Sequence, residues 1–267
     1  MLSISIVVYK PNIKILKQAL DSIYVSLSQN STLLRDSKIT VVDNGNQRSI
    51  LDNTVKTYID DGLQINIISS IKNLGYGNAH NLAILSSSSK YHLILNPDVI
   101  LSGDALRVGL EYLESNKDVV AISPKCFDDK NKVQHIAKTY PNLLVLLVRG
   151  IAPQLIKKLF YKNLYKYEVR KIVDKDKISE IEIMSGCFML CRTEALKEIN
   201  GFDGRYFLYF EDFAMSLELR KLGKLMYVPS MKIIHLGGHA ARKGIRHIYF
   251  FISSGFRFFN KYGWKFL

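Results

Sequence analysis

Two adjacent acids, an Asn-Pro-Asp turn and a single histidine are the groups in this chain best placed to do chemistry. Asn96-Pro97-Asp98 follows the apolar run Tyr91–Leu95. A carboxylate just past a strand can ligate a hard cation through oxygen, and proline fixes the turn. The same residues would also make a plain β-turn with Asp98 capping the helix near Gly103. Glu211-Asp212 opens a helix after the aromatic stretch Tyr206-Phe207-Leu208-Tyr209-Phe210. Acids in a first helical turn are ordinary, because they favour the dipole. Beside so many aromatic rings, however, partial desolvation raises a carboxylate's pKa and suits it to general-base work. His235 ends another apolar run, and His239 follows four residues later. The glycines between them argue against a helical two-histidine zinc motif. One histidine joining Asp98 on a divalent ion remains open, beside a purely structural role.

The segment Asn73-Leu74-Gly75-Tyr76-Gly77-Asn78-Ala79-His80-Asn81 precedes a helical pattern. It lacks the third glycine of the dinucleotide fingerprint, and the chain has neither a P-loop nor a Gly-x-Ser-x-Gly elbow. Cys126, Cys187 and Cys191 cannot close a disulfide framework and have no metal-knuckle spacing, which points to a reducing compartment. Cys187 and Cys191 are expected to face the core.

These groups need a scaffold, and the hydrophobic periodicity supplies one. Strands are expected at Ile4–Tyr9, Ile39–Val42, Ile65–Ile68, Tyr91–Leu95 and Val119–Ile122, alternating with helices over 13–27, 50–59, 78–85 and 105–113. Such alternation implies a mostly parallel sheet covered on both faces. Tyr9-Lys10-Pro11, Asp43-Asn44-Gly45 and Asn96-Pro97-Asp98 all fall just after strands, where open α/β sheets bind ligands. Residues 131–177 show no clear alternation. Glu180–Leu190 reads as one strand, 210–222 as a helix, and Leu225–Val228 as a strand stopped by Pro229, with Lys232–His235 as a further strand.

The chain has 267 residues, with 37 Lys and Arg against 24 Asp and Glu, a net charge of +13. Nine Lys/Arg and no acids lie between Lys221 and Leu267, and nine against three acids between Pro141 and Lys177. Ile248, Phe251, Ile252, Gly255, Phe256 and Phe259 fall on one helical face, with Arg246, Arg257 and Lys261 elsewhere. That pattern fits an interfacial anchor on an anionic membrane, or an ordinary helix packed on the domain with a solvated basic face. No nucleic-acid-binding signature is present, so nucleic acid is not expected as a partner. Met1 leads straight into the first strand with no signal-peptide pattern. The longest apolar run, Leu143–Val148, stops at Arg149, well short of a spanning helix. A cytoplasmic protein, peripheral on the inner face of the plasma membrane, is expected.

Together the segments resemble the inverting family 2 glycosyltransferases of GT-A fold, and most closely the bacterial rhamnosyltransferase-like branch. The matching pieces occur in family order: Ile4–Tyr9, Val41–Asn44, Asn73–Asn81, Leu95–Asp98, Ser185–Leu190, Gly201-Phe202-Asp203, Tyr209–Asp212 with Arg220, and His235. The resemblance implies that Asp212 is the catalytic base with Glu211 beside it, and that Asp98 and His235 hold Mg or Mn. It implies that Tyr9 and Asp43 take the nucleobase end of the donor, and that Asn73, Gly77, Asn81, Asn96 and Arg220 border the nucleotide-sugar. Asn96 stands where the family's Asp-x-Asp motif opens with Asp. The implied donor is dTDP-rhamnose. The implied acceptor is a saccharide, polyprenyl-diphosphate-linked, for bacterial surface polysaccharide. Rival expectations are another donor, such as a UDP-hexose, or a non-catalytic sugar-nucleotide-binding subunit. The expected organisation is a catalytic domain over 1–240, split near 125 into nucleotide-binding and acceptor halves. An amphipathic tail over 241–267 follows, with a homo-oligomer possible in principle.

Overall fold

The computed structural model describes residues 2–237 and 244–267. His239 and the first three residues of the expected tail lie outside the described residues. The strands are β1 (Leu2–Val8), β2 (Lys38–Asp43), β3 (Gln64–Ser69), β4 (Tyr91–Leu95), β5 (Val99–Leu101), β6 (Val119–Phe127), β7 (Val133–Gln134), β8 (Ser179–Glu180), β9 (Phe188–Arg192) and β10 (Lys224–His235). The helices are α1 (Ile13–Ser28), α2 (Ser31–Asp36), α3 (Arg48–Asp60), α4 (Tyr76–Ser86), α5 (Ala105–Ser115), α6 (Leu143–Ile151), α7 (Gln154–Leu159), α8 (Tyr161–Tyr167), α9 (Arg170–Val173), α10 (Thr193–Glu198), α11 (Glu211–Leu219) and α12 (Ile245–Tyr262).

One sheet runs in the order β3-β2-β1-β4-β9-β6-β10-β5, with β7 and β8 pairing off that path onto β6 and β10. The β3, β2, β1 and β4 pairings are parallel, as the alternation of strands and helices requires. β9 enters antiparallel between β4 and β6, and β5 closes the far edge antiparallel to β10. β1 is buried along its whole length because helices cover both faces of the sheet. Its two serines are accommodated by a buried hydrogen-bond chain. The Ser3 hydroxyl meets His92 Nδ1 at 2.6 Å, and the Ser5 hydroxyl meets His92 Nε2 at 2.8 Å and His80 Nδ1 at 2.7 Å.

Three local expectations are corrected. Pro229 does not stop the strand. β10 runs through it, and a register shift against β6 between Val228 and Lys232 absorbs the missing N–H. Glu180–Leu190 is not one strand, because the chain turns at Ser185-Gly186-Cys187 between β8 and β9. The region without alternation, 131–177, holds the two-residue β7 and the four short helices α6–α9, elements too brief to show a clear period.

The apolar face expected for the tail is split. Ser254, Gly255, Phe258 and Phe259 are buried against a cluster containing Val145, Leu164, Tyr206, Phe210 and Ala214. Ile245, Ile248, Tyr249, Ile252 and Phe256 are exposed. α12 is therefore an integral part of that apolar cluster as well as the bearer of an outward apolar stripe. The residues after α12 hold the start of α6: the Leu143 and Leu144 N–H groups donate to the Lys265 and Phe266 carbonyls at 2.8 and 3.2 Å.

Candidate active site

The pairing of β5 with β10 brings Asp98 and His235 together. His235 sits opposite Val99 in the antiparallel register, and Leu236 N–H donates to the Asp98 carbonyl at 2.9 Å. His235 Nε2 is then 3.4 Å from Asp98 Oδ1. Gln134 on β7 turns the imidazole: its amide donates to the His235 carbonyl at 3.1 Å, and its Oε1 lies 3.3 Å from Nδ1. A proton on Nδ1 facing Gln134 leaves the Nε2 lone pair directed at Asp98. Gly237 must be glycine here, since a Cβ would lie 2.0 Å from Asp98 Oδ2.

The second acidic pair stands at the start of α11. Tyr209 and Phe210, at φ 69° and 62°, occupy the left-handed region that non-glycine residues avoid. Each costs about 1–3 kcal/mol and persists only when its surroundings impose it. Those surroundings are α12: the Phe210 ring meets Phe251 and Phe258 at 5.1 and 5.3 Å, and Ser254 donates to the Leu208 carbonyl at 2.9 Å. The strained turn points Glu211 inward, 5% exposed, with Oε2 lacking a hydrogen-bond partner among the described residues. Burial, then the neighbouring Asp212, pushes the Glu211 carboxyl well above the usual range. Burial also raises Asp212, but there two backbone donors oppose it: Gly186 N–H at 2.9 Å on Oδ2 and Phe213 N–H at 2.9 Å on Oδ1. Donors to a carboxylate favour its ionised form. Asp212 is thus the member of the pair whose ionised form the backbone supports.

The Ser185–Cys187 turn ties the two acidic centres into one site. Gly186 N–H holds Asp212, while Asn96 N–H donates to the Cys187 carbonyl at 2.9 Å. Tyr76 donates to the Gly186 carbonyl at 2.5 Å. The charges of Glu211, Asp212 and Asp98 all reach Tyr76 and, after burial, push its phenol further up. The role of this turn was missed from sequence, where Ser185–Leu190 read as plain strand. Burial pushes the Cys187 thiol up to about 12, so it is no nucleophile.

The loops after β2 and β3 adjoin this site through Asn44 and Asn73. Asn44 receives Leu74 N–H at 2.8 Å and donates to Asn73 Oδ1 and the Gly75 carbonyl at 2.8 and 3.0 Å. Tyr9 is 54% exposed, with the Lys10 ammonium 5.7 Å from its ring. Asp43 is fully buried, and its carboxylate accepts Gly45 and Gln47 N–H at 3.1 and 2.7 Å. It shapes the loop. Asn81 is also committed elsewhere: its amide brackets the Phe202 backbone, with both contacts at 2.8 Å. Gly77 lies under Phe202, where a Cβ would meet the side chain at 2.7 Å. Asn81 and Gly77 therefore lock α4 to the Gly201 turn. Arg220 follows the last turn of α11, roughly 12 Å along the axis from Asp212. There it faces Glu180 at 3.5 Å.

Asp98 and His235 make a two-ligand set, and no group of three or more acids, histidines or cysteines gathers elsewhere among the described residues. The set fits a hard divalent ion. It has one carboxylate oxygen and one imidazole nitrogen at a strand edge, with the imidazole oriented by Gln134 as metal-ligating histidines usually are. Asn96 adds a buried Oδ1 with no hydrogen-bond partner among the described residues.

Comparison with known proteins agrees with this geometry. Residues 3–199 match the model of glycosyl transferase family 2. The chain is 31% identical over 207 residues to the rhamnosyltransferase WbbL of Escherichia coli K12, covering 72% of this chain and 70% of that one. It is 25% identical over 218 residues to an N-acetylglucosaminyl-diphospho-decaprenol L-rhamnosyltransferase of Mycobacterium tuberculosis, covering 77% and 68%. Among solved structures, GalNAc-T7 with UDP, GalNAc and Mn2+ superposes with a TM-score of 0.69 at 14% identity, over 97% of this chain and 47% of that one. The mannosyltransferase PcManGT of Pyrobaculum calidifontis, with GDP-Man and Mn2+, gives 0.62 at 16% identity, over 96% and 64%. The sheet is thus that of the GT-A glycosyltransferases, and the chain belongs to glycosyl transferase family 2.

Proposed function

We propose that this glycosyltransferase moves L-rhamnose from dTDP-rhamnose, with inversion, to a polyprenyl-diphosphate-linked saccharide used in bacterial surface polysaccharide. The observation that carries the reading is the placement of Asp212 beside the Asp98–His235 pair, joined through one turn. The two rhamnosyltransferase relatives support the sugar, and the decaprenol-linked substrate named for one supports the acceptor.

The chain's own residues divide the work. Asp212, ionised and held by two backbone N–H groups, accepts the proton of the acceptor hydroxyl as that oxygen attacks the anomeric carbon. Glu211 stays protonated and leaves Asp212 the only charged carboxylate of the pair. A single displacement needs no second catalytic carboxylate, unlike the paired acids of glycoside hydrolases. Tyr9 offers a ring to the nucleobase, and Asp43 with Asn44 and Asn73 holds the loop it adjoins. Asp98 and His235, with Asn96 near, would hold Mg or Mn, which when bound neutralises the leaving diphosphate. The direct test is a donor screen that measures nucleotide release with dTDP- and UDP-sugars.

An anionic membrane on the inner face of the plasma membrane is the proposed place of work. No helix among the described residues is long and apolar enough to cross a bilayer. α12 instead presents Ile245, Ile248, Tyr249, Ile252 and Phe256 outward, with Arg246 exposed among them. α7 adds Leu155 and Leu159, each 80% exposed, beside Lys157 and Lys158. Each side chain fully removed from water contributes about 1.5–3 kcal/mol, and each surface-proximal cation about 1 kcal/mol. The protein is expected to sediment with phosphatidylglycerol vesicles at low salt and to detach as salt rises. Changing Ile245, Ile252 and Phe256 together to Ser should weaken binding without altering the melting temperature. Intact protein that ignores such vesicles at low salt would defeat the proposal.

A further inference from the structure

The basic stretch between β7 and β8 contains a cluster that the chemistry above does not use. Lys138, Arg149 and Arg170 come from three separate elements and share one carboxylate, Glu168. The distances are 4.0 Å for Lys138 Nζ, 3.4 Å for Arg149 Nε and 2.5 Å for Arg170 Nη2. Three basic groups thus surround one acid, and Lys138 also donates to the His135 carbonyl. Lys138 is only 5% exposed, and burial, then the nearby Arg149, push its ammonium down to about 7. Tyr167 lies under Lys138, with its ring 5.6 Å from Nζ. It is 2% exposed, and its hydroxyl has no hydrogen-bond partner among the described residues. Tyr167 and Val148 pack in one apolar cluster with Phe210 and Ala214, which flank the Glu211-Asp212 pair. The Arg149 charge acts on Asp212, and the charges of both Arg149 and Asp212 act on the Tyr167 phenol.

We propose that Lys138, Arg149 and Arg170, with the Tyr167 hydroxyl, form the seat for the diphosphate of the acceptor. This deepens the acceptor reading above and rests on it. The donor's own diphosphate belongs at Asp98 and His235, on strands that carry none of these cations. In a diphosphate-linked saccharide, the hydroxyls of the first sugar lie within one ring of the phosphates. An anion held beside Asp212 therefore sets such a hydroxyl at the base. Arginine pairs with phosphate in a bidentate fork. Arg149 is 51% exposed on its side chain, so it can swing from Glu168 to an arriving anion.

The test uses N-acetylglucosaminyl diphosphate on a short prenyl chain, bound to the full chain without donor and followed by calorimetry. Arg149→Gln should weaken its binding tenfold or more, and inorganic pyrophosphate should compete with it on the unaltered protein. The Kd for dTDP with Mn2+ should stay where it is. In turnover, the ratio of kcat/KM for the prenyl diphosphate acceptor to that for an alkyl N-acetylglucosaminide should fall by a similar factor. Arg170→Gln provides a second variant should Arg149→Gln unfold, with circular dichroism as the check. An equal loss with both acceptors would make the cluster a support for Asp212 and overturn the seat. A changed dTDP affinity would assign it to the donor, and a loss confined to phosphatidylglycerol vesicles would assign it to lipid headgroups. Binding of the prenyl diphosphate without transfer from any donor would sink the proposed function and leave the seat standing.

Discussion

Asp212→Asn should lower turnover by about 10²–10⁴ while the affinity for the nucleotide barely moves. The amide keeps the size and polarity of the side chain but cannot take a proton from the acceptor at neutral pH. The Oδ1 carbonyl can still accept one of the two backbone N–H groups that hold the carboxylate, so the strained entry to α11 survives. The pH profile gives a second reading of the same group. Burial raises the Asp212 pKa, so the base is lost to protonation at a higher pH than an exposed aspartate would be. The acid limb of kcat/KM should lie above the ordinary carboxylate range, and it should vanish in the Asn variant along with most of the rate. Glu211→Gln should do far less, because Glu211 is already neutral and a glutamine preserves that state. A rate that survives in Asp212→Asn, with nucleotide binding lost instead, would place the base elsewhere.

Asp98→Ala should cost about 10²–10³ in turnover, the scale of losing one group that stabilises a developing charge. Unlike Asp212→Asn, it should also abolish the binding of Mn2+, read directly by calorimetry in the absence of sugar. Treatment with EDTA should stop transfer, and Mn or Mg should restore it. Gln134→Ala offers a milder version. Loss of the group that orients His235 should weaken Mn2+ binding by about 10–100-fold without touching either ligand. Full activity in EDTA would contradict the assignment.

Most of residues 2–125 was legible, because β1 and β4 are buried along their length and α1, α3 and α5 are long enough to show a period, whereas the short α2 and β5 were not. β1 through β4 and the polar clusters after them could be read from Ile4, Ile39, Ile65 and Tyr91 onward. The acidic residues of the site were legible for a related reason: carboxylates beside strands or aromatics are unusual enough to stand out. Three things were hidden. The Ser185–Cys187 turn looks like strand because Phe188–Leu190 continues the apolar run, and only the contact of Gly186 with Asp212 shows its use. Asn81 and Gly77 sit in a motif rich in groups that could touch a ligand, yet Phe202, more than a hundred residues later, claims both. The tail helix has apolar residues around much of its circumference, so periodicity alone could not say which side meets the core. Phe258, absent from the expected face, proves to be its centre, because Phe210 and α6 approach from that side.

The most direct measurement is transfer itself. Purified protein, Mn2+, dTDP-rhamnose and N-acetylglucosaminyl diphosphate on a short prenyl chain are incubated together, and the product is analysed by mass spectrometry and by NMR of its anomeric proton. The expected result is one added deoxyhexose with the anomeric configuration opposite to the donor's, in a reaction lost with Asp212→Asn. Retention of configuration, or transfer that proceeds undiminished in Asp212→Asn, would contradict a single displacement driven by this base. Transfer from a UDP-hexose in place of dTDP-rhamnose would contradict the assigned donor.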